Sequence, residues 1–73
     1  TSGVIDLVFE EDGGWVIVDY KTDAVPDPKR LTELTEFYSP QVTLYRHYWE
    51  ALTGTRVIEA GLYFISADAW VTV

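Results

Sequence analysis

Two short segments near the start of the chain have the apolar patterns of β-strands. Residues 4–10 carry apolar side chains at nearly every position, and residues 15–20 are almost continuously apolar. The Glu-Asp-Gly-Gly sequence between them, at 11–14, is typical of a tight turn. The pattern therefore predicts a β-hairpin with strands Val4–Glu10 and Trp15–Tyr20, the second of them central in its sheet.

The middle of the chain carries two sets of helix signals. Asp27 and Pro28 have the residue types of an N-cap and a first helical position, so they predict a short helix. Ser39 and Pro40 repeat that signal, and Gly54 is a typical C-terminal stop. We therefore predict two consecutive helices.

At 100° per residue, the second predicted helix divides into an apolar and a polar side. The side predicted to face the core comprises Gln41, Val42, Leu44, Tyr45, Tyr48, Trp49 and Leu52. The side predicted to face solvent comprises Thr43, Arg46, His47 and Glu50.

The last third of the chain contains a long apolar segment, Val57–Ile65, and a short one, Trp70–Val73. The order of elements is then strand, strand, helix, helix, strand, with a possible fourth strand. A hairpin followed by a helical crossover to another buried strand predicts an α/β fold with a mixed sheet. A chain of 73 residues is one domain at most, and its core is expected to be thin.

The register of the predicted hairpin brings two acidic side chains together. A two-residue turn that pairs Glu11 with Gly14 also places Asp6 directly opposite Asp19. Like charges in such a pair lie about 4.5–5.5 Å apart at Cβ and destabilise a sheet, unless a cation compensates. Lys21 is the next residue on the same face as Asp19. This grouping predicts a metal-dependent hydrolytic site; the alternative is a surface hairpin with solvated carboxylates.

Hard divalent cations such as Mg²⁺ prefer carboxylate and carbonyl oxygens. Asp6, Asp19 and the main-chain carbonyl of Tyr20 could supply three of these ligands. A cation held there could polarise a phosphoryl oxygen and lower the pKa of a bound water. Lys21 would then orient the water or balance developing charge.

Composition narrows the class of protein. The net charge of −7 argues against a self-sufficient nucleic-acid binder, so either the partner is not nucleic acid or the basic surface lies in another part of a longer chain. The sequence has no cysteine, which excludes disulfides and thiolate-bound metal or iron–sulphur centres. It has no apolar segment near the length of a membrane span, and we expect a cytoplasmic protein without a membrane partner.

Three sequence blocks, taken together, resemble a known family. They are Gly3-Val4-Ile5-Asp6, Val18-Asp19-Tyr20-Lys21-Thr22-Asp23 and Gln41-Val42-Thr43-Leu44-Tyr45. In this order they resemble the RecB-like nucleases of the PD-(D/E)XK superfamily, and within it the nuclease domains of AddA- and RecB-type helicase–nucleases. The resemblance covers the chain from Gly3 to about Ile65 and implies a restriction-endonuclease-like fold with a truncated core.

The resemblance also implies roles for individual residues. Asp6 and Asp19 would be metal ligands together with the Tyr20 carbonyl, and Lys21 would be the catalytic lysine. Gln41 and Tyr45 match a Gln-x-x-x-Tyr block that reaches the site or the DNA backbone. A second interpretation places Tyr45 in the core with its hydroxyl bonded to Gln41.

For the protein as a whole, the resemblance implies a DNA nuclease that uses Mg²⁺ or Mn²⁺ and has no iron–sulphur cluster. ATP would be used only by an attached helicase, a partner subunit would be present, and the reaction would serve double-strand-break repair and recombination. Residues 1–73 would be a partial domain without an upstream helical segment that carries a histidine ligand, and inactive in isolation. The alternative is a non-catalytic module that binds DNA ends or docks other subunits.

Several other residues receive structural assignments. We expect Asp23 to cap a loop, His47 to be a solvated surface residue, Trp15 and Trp49 to be core, and Trp70 to be exposed.

Overall fold

The fold is a four-stranded sheet with one long helix packed against one face. The computed structural model describes residues 6–73. Its elements are β1 (Leu7–Glu11), β2 (Gly14–Lys21), α1 (Pro28–Thr53), β3 (Val57–Phe64), a single 3-10 turn (Ile65–Ala67) and β4 (Ala69–Thr72). The strands lie in the order β1-β2-β3-β4. The parallel β2–β3 pair is flanked by two antiparallel pairs, so the predicted α/β fold with a mixed sheet is confirmed, including the fourth strand.

The β1–β2 hairpin has the predicted register. Leu7 pairs with Val18, and Glu11 pairs with Gly14. Gly13 in the turn has a φ of 95°, a conformation that favours glycine. Val4 and Ile5, which we assigned to the first strand, lie outside the described residues.

Helix α1 is continuous, so the predicted break at Ser39 and Pro40 is wrong. Its two ends agree with the sequence: the Asp27 carboxylate accepts a hydrogen bond from the Arg30 N–H (2.8 Å), and Gly54 ends the helix in the left-handed conformation. Pro40 lies inside the helix on an exposed position. A proline there removes one backbone hydrogen bond.

Packing on both sides of Pro40 explains why the helix continues. Leu34 and Val42 are eight positions apart, lie on the same face and are both buried against the sheet. Because the sheet holds the helix before and after the proline, the local signal for a new helix start is overridden.

The buried face of α1 is narrower than predicted. Val42 and Tyr45 are buried as expected, whereas Leu44, Tyr48 and Leu52 are exposed, Leu52 to 78%. Phe37 in the first half of the helix is 75% exposed. One face of a single sheet covers only one stripe of the helix.

The predicted solvent-facing side also needs correction, because two of its members bind the start of β3. The Arg46 guanidinium donates to the Val57 carbonyl (2.8 Å), and the Glu50 carboxylate accepts from the Val57 N–H (2.7 Å). Both side chains are half-buried. His47 is exposed, as predicted.

The core lies between α1 and the sheet. Its fully buried members are Phe64, Ile17, Leu62 and Val42. Trp15 and Trp49 meet edge to face at its end, with ring centroids 5.4 Å apart, so their assignment to the core is confirmed.

The opposite face of the sheet is apolar and open. An open cavity of about 300 Å³ on this face is lined by Leu7, Phe9, Val18, Tyr20, Tyr63 and Trp70. Trp70 is exposed as predicted, in an ordered strand, and its indole donates to the Glu59 carboxylate (3.1 Å). Within residues 6–73, no helix is both long and apolar enough to cross a membrane.

Candidate active site

Asp19 and Lys21 lie at the carboxyl end of β2, on the face covered by α1. Alternate residues of a strand share a face, so both follow Ile17 towards the core. Asp19 is only 3% exposed, and the side chain of Lys21 is 17% exposed. The Lys21 Nζ lies 3.4 Å from the Asp19 Oδ2, so the predicted grouping of an acid and an ammonium is present.

Asp6 joins this pair from the neighbouring strand. It precedes β1 directly, and continuing the observed ladder by one residue places it opposite Asp19. Its Oδ2 accepts a hydrogen bond from the Tyr20 N–H (2.8 Å). Since the N–H and C=O of one strand residue point to the same neighbouring strand, the Tyr20 carbonyl leaves β2 on the Asp6 side.

The electrostatics of Asp19 are those of a buried acid. Burial raises the pKa of its carboxyl, the Lys21 ammonium opposes the shift, and hydrogen bonding to Asp6 and repulsion by its charge add to it. The net pKa lies above the ordinary value. The buried Asp19 Oδ2 has no hydrogen-bond partner among the atoms of residues 6–73. An unpartnered carboxylate oxygen of this kind is a suitable ligand for a cation.

A tyrosine from α1 completes the surroundings of Lys21. The Lys21 Nζ lies over the Tyr38 ring, 4.0 Å from its centroid. The Tyr38 hydroxyl donates to the Asp23 carboxylate, at 3.1 and 3.0 Å from its two oxygens. Burial and this hydrogen bond raise the pKa of Tyr38, so the hydroxyl keeps its proton.

Two sequence interpretations change here. Asp23 lies in the loop after β2 as expected, yet its carboxylate binds the Tyr38 hydroxyl rather than capping the loop. Tyr38 was missed because it stands beside the predicted helix boundary. The available signal was its spacing: Tyr38, Gln41 and Tyr45 are separated by three and four residues and share one helix face.

Gln41 and Tyr45 continue that face beyond Lys21. Tyr45 is buried and Gln41 is half-buried, and no hydrogen bond joins their side chains within the described part of the chain. Helix α1 runs back along β2, because Tyr38 lies at Lys21 and Trp49 lies at Trp15. At about 1.5 Å per residue, Gln41 is roughly 4.5 Å further along the helix, in the direction of Asp19.

The donor set fits part of a magnesium site. Asp6 and Asp19 provide two carboxylates on adjacent strands, and hard divalent cations bind such oxygens. No cluster of three or more His, Cys, Asp or Glu side chains that could hold a metal occurs between residues 6 and 73. The two carboxylates therefore fit a cation that takes its other ligands from carbonyl oxygens, water or residues beyond this range.

Comparison with known proteins identifies the family. The sequence profile of the PD-(D/E)XK nuclease superfamily matches residues 2–70. The chain belongs to this superfamily. The resemblance and the restriction-endonuclease-like fold that we expected are thereby confirmed.

The chain is also similar to the larger of its relatives described as ATP-dependent helicase/nuclease subunits, from several bacteria. It is 39% identical to that of Oceanobacillus iheyensis over 97% of this chain and 6% of the relative. It is 44% identical to that of Thermoanaerobacter sp. (strain X514), over 84% of this chain and 5% of the relative. For Clostridioides difficile the identity is 41%, over 90% of this chain and 5% of the relative.

The chain thus spans only about one-twentieth of the length of these relatives. As a homologue of the nuclease part of such helicase–nucleases, it carries the hairpin, the crossover helix and the parallel strand in one unit. Asp6, Asp19 and Lys21 converge at the end of β2, and Tyr38 and Asp23 join them.

Proposed function

We propose that this domain hydrolyses phosphodiester bonds of DNA with Mg²⁺ or Mn²⁺ bound between β1 and β2. The buried Asp19 supports this most directly, because its Oδ2 has no hydrogen-bond partner within residues 6–73 and lies 3.4 Å from the Lys21 ammonium. A protein rarely keeps a charged oxygen in such a place unless a ligand or a reaction uses it.

Each residue receives a role in this proposal. Asp6, Asp19 and the Tyr20 carbonyl hold the cation on the side of β2 that faces β1. When bound, a divalent cation supplies positive charge to a phosphodiester group and makes water more acidic. Lys21 orients the attacking water or balances the charge that develops on the phosphate. Gln41 and Tyr45 contact the site or the DNA backbone.

For the protein as a whole, we propose the nuclease part of a cytoplasmic helicase–nuclease that acts in double-strand-break repair and recombination. The similarity to bacterial ATP-dependent helicase/nuclease subunits supports this assignment. ATP would serve the helicase, and a partner subunit would join the assembly. The net charge of −7 fits a division of labour in which basic DNA-binding surfaces lie outside these 73 residues.

The experiment is a nuclease assay on the full-length protein, with a labelled duplex and ATP, in the presence of Mg²⁺. Lys21→Ala and Asp19→Asn should each abolish cleavage while ATP hydrolysis stays at the wild-type level. Lys29→Ala is the matched control, since Lys29 is an exposed lysine in the first turn of α1. Wild-type cleavage by Lys21→Ala would show that this site is not the nuclease centre.

A second candidate is a non-catalytic module that binds DNA ends or docks other subunits. The absence of a cluster of three metal-ligating side chains within residues 6–73 favours it. Calorimetric titration of the full-length protein with Mn²⁺ separates the two. Binding heat that disappears in Asp19→Asn supports the nuclease, and no binding heat in the wild type supports the module.

A further inference from the structure

We propose that Tyr38, anchored by Asp23, is a positioning residue that holds the Lys21 ammonium in the nuclease site. This inference rests on the proposed function of Lys21. It adds a group from the crossover helix to a site otherwise built from the hairpin.

The Lys21 ammonium is held from two sides. The Asp19 Oδ2 lies 3.4 Å from Nζ, and the centroid of the Tyr38 ring lies 4.0 Å from it. A lysine side chain has a flexible four-carbon stem, so a single ion pair leaves the ammonium several orientations. An aromatic face attracts a cation without accepting conventional hydrogen bonds from it. The ring therefore restrains Nζ and leaves its N–H groups free for a water or a phosphate.

The ring itself is fixed by contacts that a core residue would not need. The Tyr38 hydroxyl reaches both oxygens of Asp23, at 3.1 and 3.0 Å. The main-chain carbonyl of Asp23 in turn accepts from the Ser66 hydroxyl (2.8 Å). The loop after β2 is thus tied to the turn after β3, and the position of the ring follows from both.

Tyr38 also packs against the edge of the core, so a purely structural role has to be distinguished. The two roles differ in what the ring and the hydroxyl contribute. Tyr38→Phe keeps the ring over Lys21 and loses the bond to Asp23. Tyr38→Leu keeps apolar packing and loses the aromatic face.

The test measures kcat and KM for DNA cleavage by the full-length protein with Mg²⁺. Tyr38→Leu should lower kcat by about two- to thirtyfold, with KM changed less than about twofold, because the cation–π contact acts on the reacting group. Tyr38→Phe should retain most of the wild-type kcat. Tyr48→Leu is the matched control, since Tyr48 is an exposed tyrosine of the same helix, and its kcat should be unchanged.

Two results would overturn the proposal. One is an unchanged kcat in Tyr38→Leu while Lys21→Ala is inactive; this leaves the nuclease assignment intact. The other is an equal loss of kcat in Tyr38→Phe and Tyr38→Leu, because only one of them lacks the ring. Cleavage by Lys21→Ala would instead contradict the proposed function itself.

A spectroscopic measurement covers the case in which Tyr38→Leu does not fold. The ring current of Tyr38 should move the Lys21 Hε proton resonances of the wild-type protein upfield of those of Lys29, which is exposed. Coincident Hε resonances for the two lysines would show that the ring does not cover the ammonium, and would overturn the proposal.

Discussion

The substitution Asp19→Asn should stabilise the fold while it removes the proposed activity. The pKa of the Asp19 carboxyl is raised in the folded protein, chiefly by burial, so ionising this group costs more in the fold than in the unfolded chain. Asparagine has nearly the same shape and no charge. Its amide could donate to Asp6, which stands beside Asp19.

The magnitude follows from the contacts of Asp19. Its Oδ2 is a buried polar atom without a hydrogen-bond partner within residues 6–73, and such an atom costs about 1–3 kcal/mol. The ion pair with Lys21 offsets part of this cost in the native protein. We therefore expect the free energy of unfolding of Asp19→Asn to exceed that of the wild type by about 1 kcal/mol at pH 7.

The gain should depend on pH. Below the ordinary value of 3.8, Asp19 is protonated in both the folded and the unfolded state, so its charge has no effect on stability. As the pH rises above 3.8 and through the raised pKa, the unfolded chain ionises more readily, and the wild type loses this part of its stability. The difference between Asp19→Asn and the wild type should be smallest near pH 4 and fully developed at pH 7.

The assay is urea unfolding of the 73-residue chain without added metal, at pH 4 and pH 7. Asp12→Asn is the matched control, because it makes the same chemical change at an exposed residue of the hairpin turn. Its effect should be within about 0.5 kcal/mol of zero. A loss of stability in Asp19→Asn at pH 7, or a gain of the same size at both pH values, would refute the reasoning from burial.

Two further substitutions test the contacts that hold β3 in place. Gly61→Ala should destabilise the protein by about 3 kcal/mol in urea unfolding, because the added Cβ would lie 2.3 Å from the Val71 carbonyl of β4; wild-type stability would contradict this packing. Arg46→Met should cost about 1–3 kcal/mol, because the Val57 carbonyl would lose its donor, whereas His47→Ala at the adjacent exposed position should be neutral; equal effects of the two would argue against the Arg46 contact.

The hairpin and its site could be predicted because local rules determine them. A turn that pairs Glu11 with Gly14 leaves one register, and strand period then places Asp6 opposite Asp19 and Lys21 beside Asp19. Where each carboxylate is needed for a ligand, sequence spacing alone indicates the chemistry. The parallel β2–β3 pairing also follows, from the length of the helical crossover.

The continuity of α1 could not be predicted, because it depends on tertiary packing. Pro40 is locally a helix-start residue, yet Leu34 and Val42 are buried on the same face on either side of it. Likewise, a helical wheel gives the direction of an apolar stripe but not its width. The single sheet face covers Val42 and leaves Leu52 exposed, and it turns Arg46 towards the start of β3.

Tyr38 illustrates the remaining gap. No local motif marks a tyrosine as the cover of a lysine 17 residues earlier in the chain. Only the path of α1 back along β2 brings its ring over Lys21 and its hydroxyl to Asp23. Such a contact can be found from sequence only when the crossover geometry is already known.

The metal site between β1 and β2 is tested most directly by titrating the ¹⁵N-labelled 73-residue chain with Mn²⁺, whose unpaired electrons broaden nearby amide resonances. We predict that the resonances of Asp6, Asp19 and Tyr20 broaden first, and that Asp19→Asn abolishes this effect. The hairpin turn, with Glu11 and Asp12, offers the ion a competing acidic surface on the same chain. Broadening that begins at the turn and leaves Asp19 and Tyr20 unaffected would contradict the proposed site.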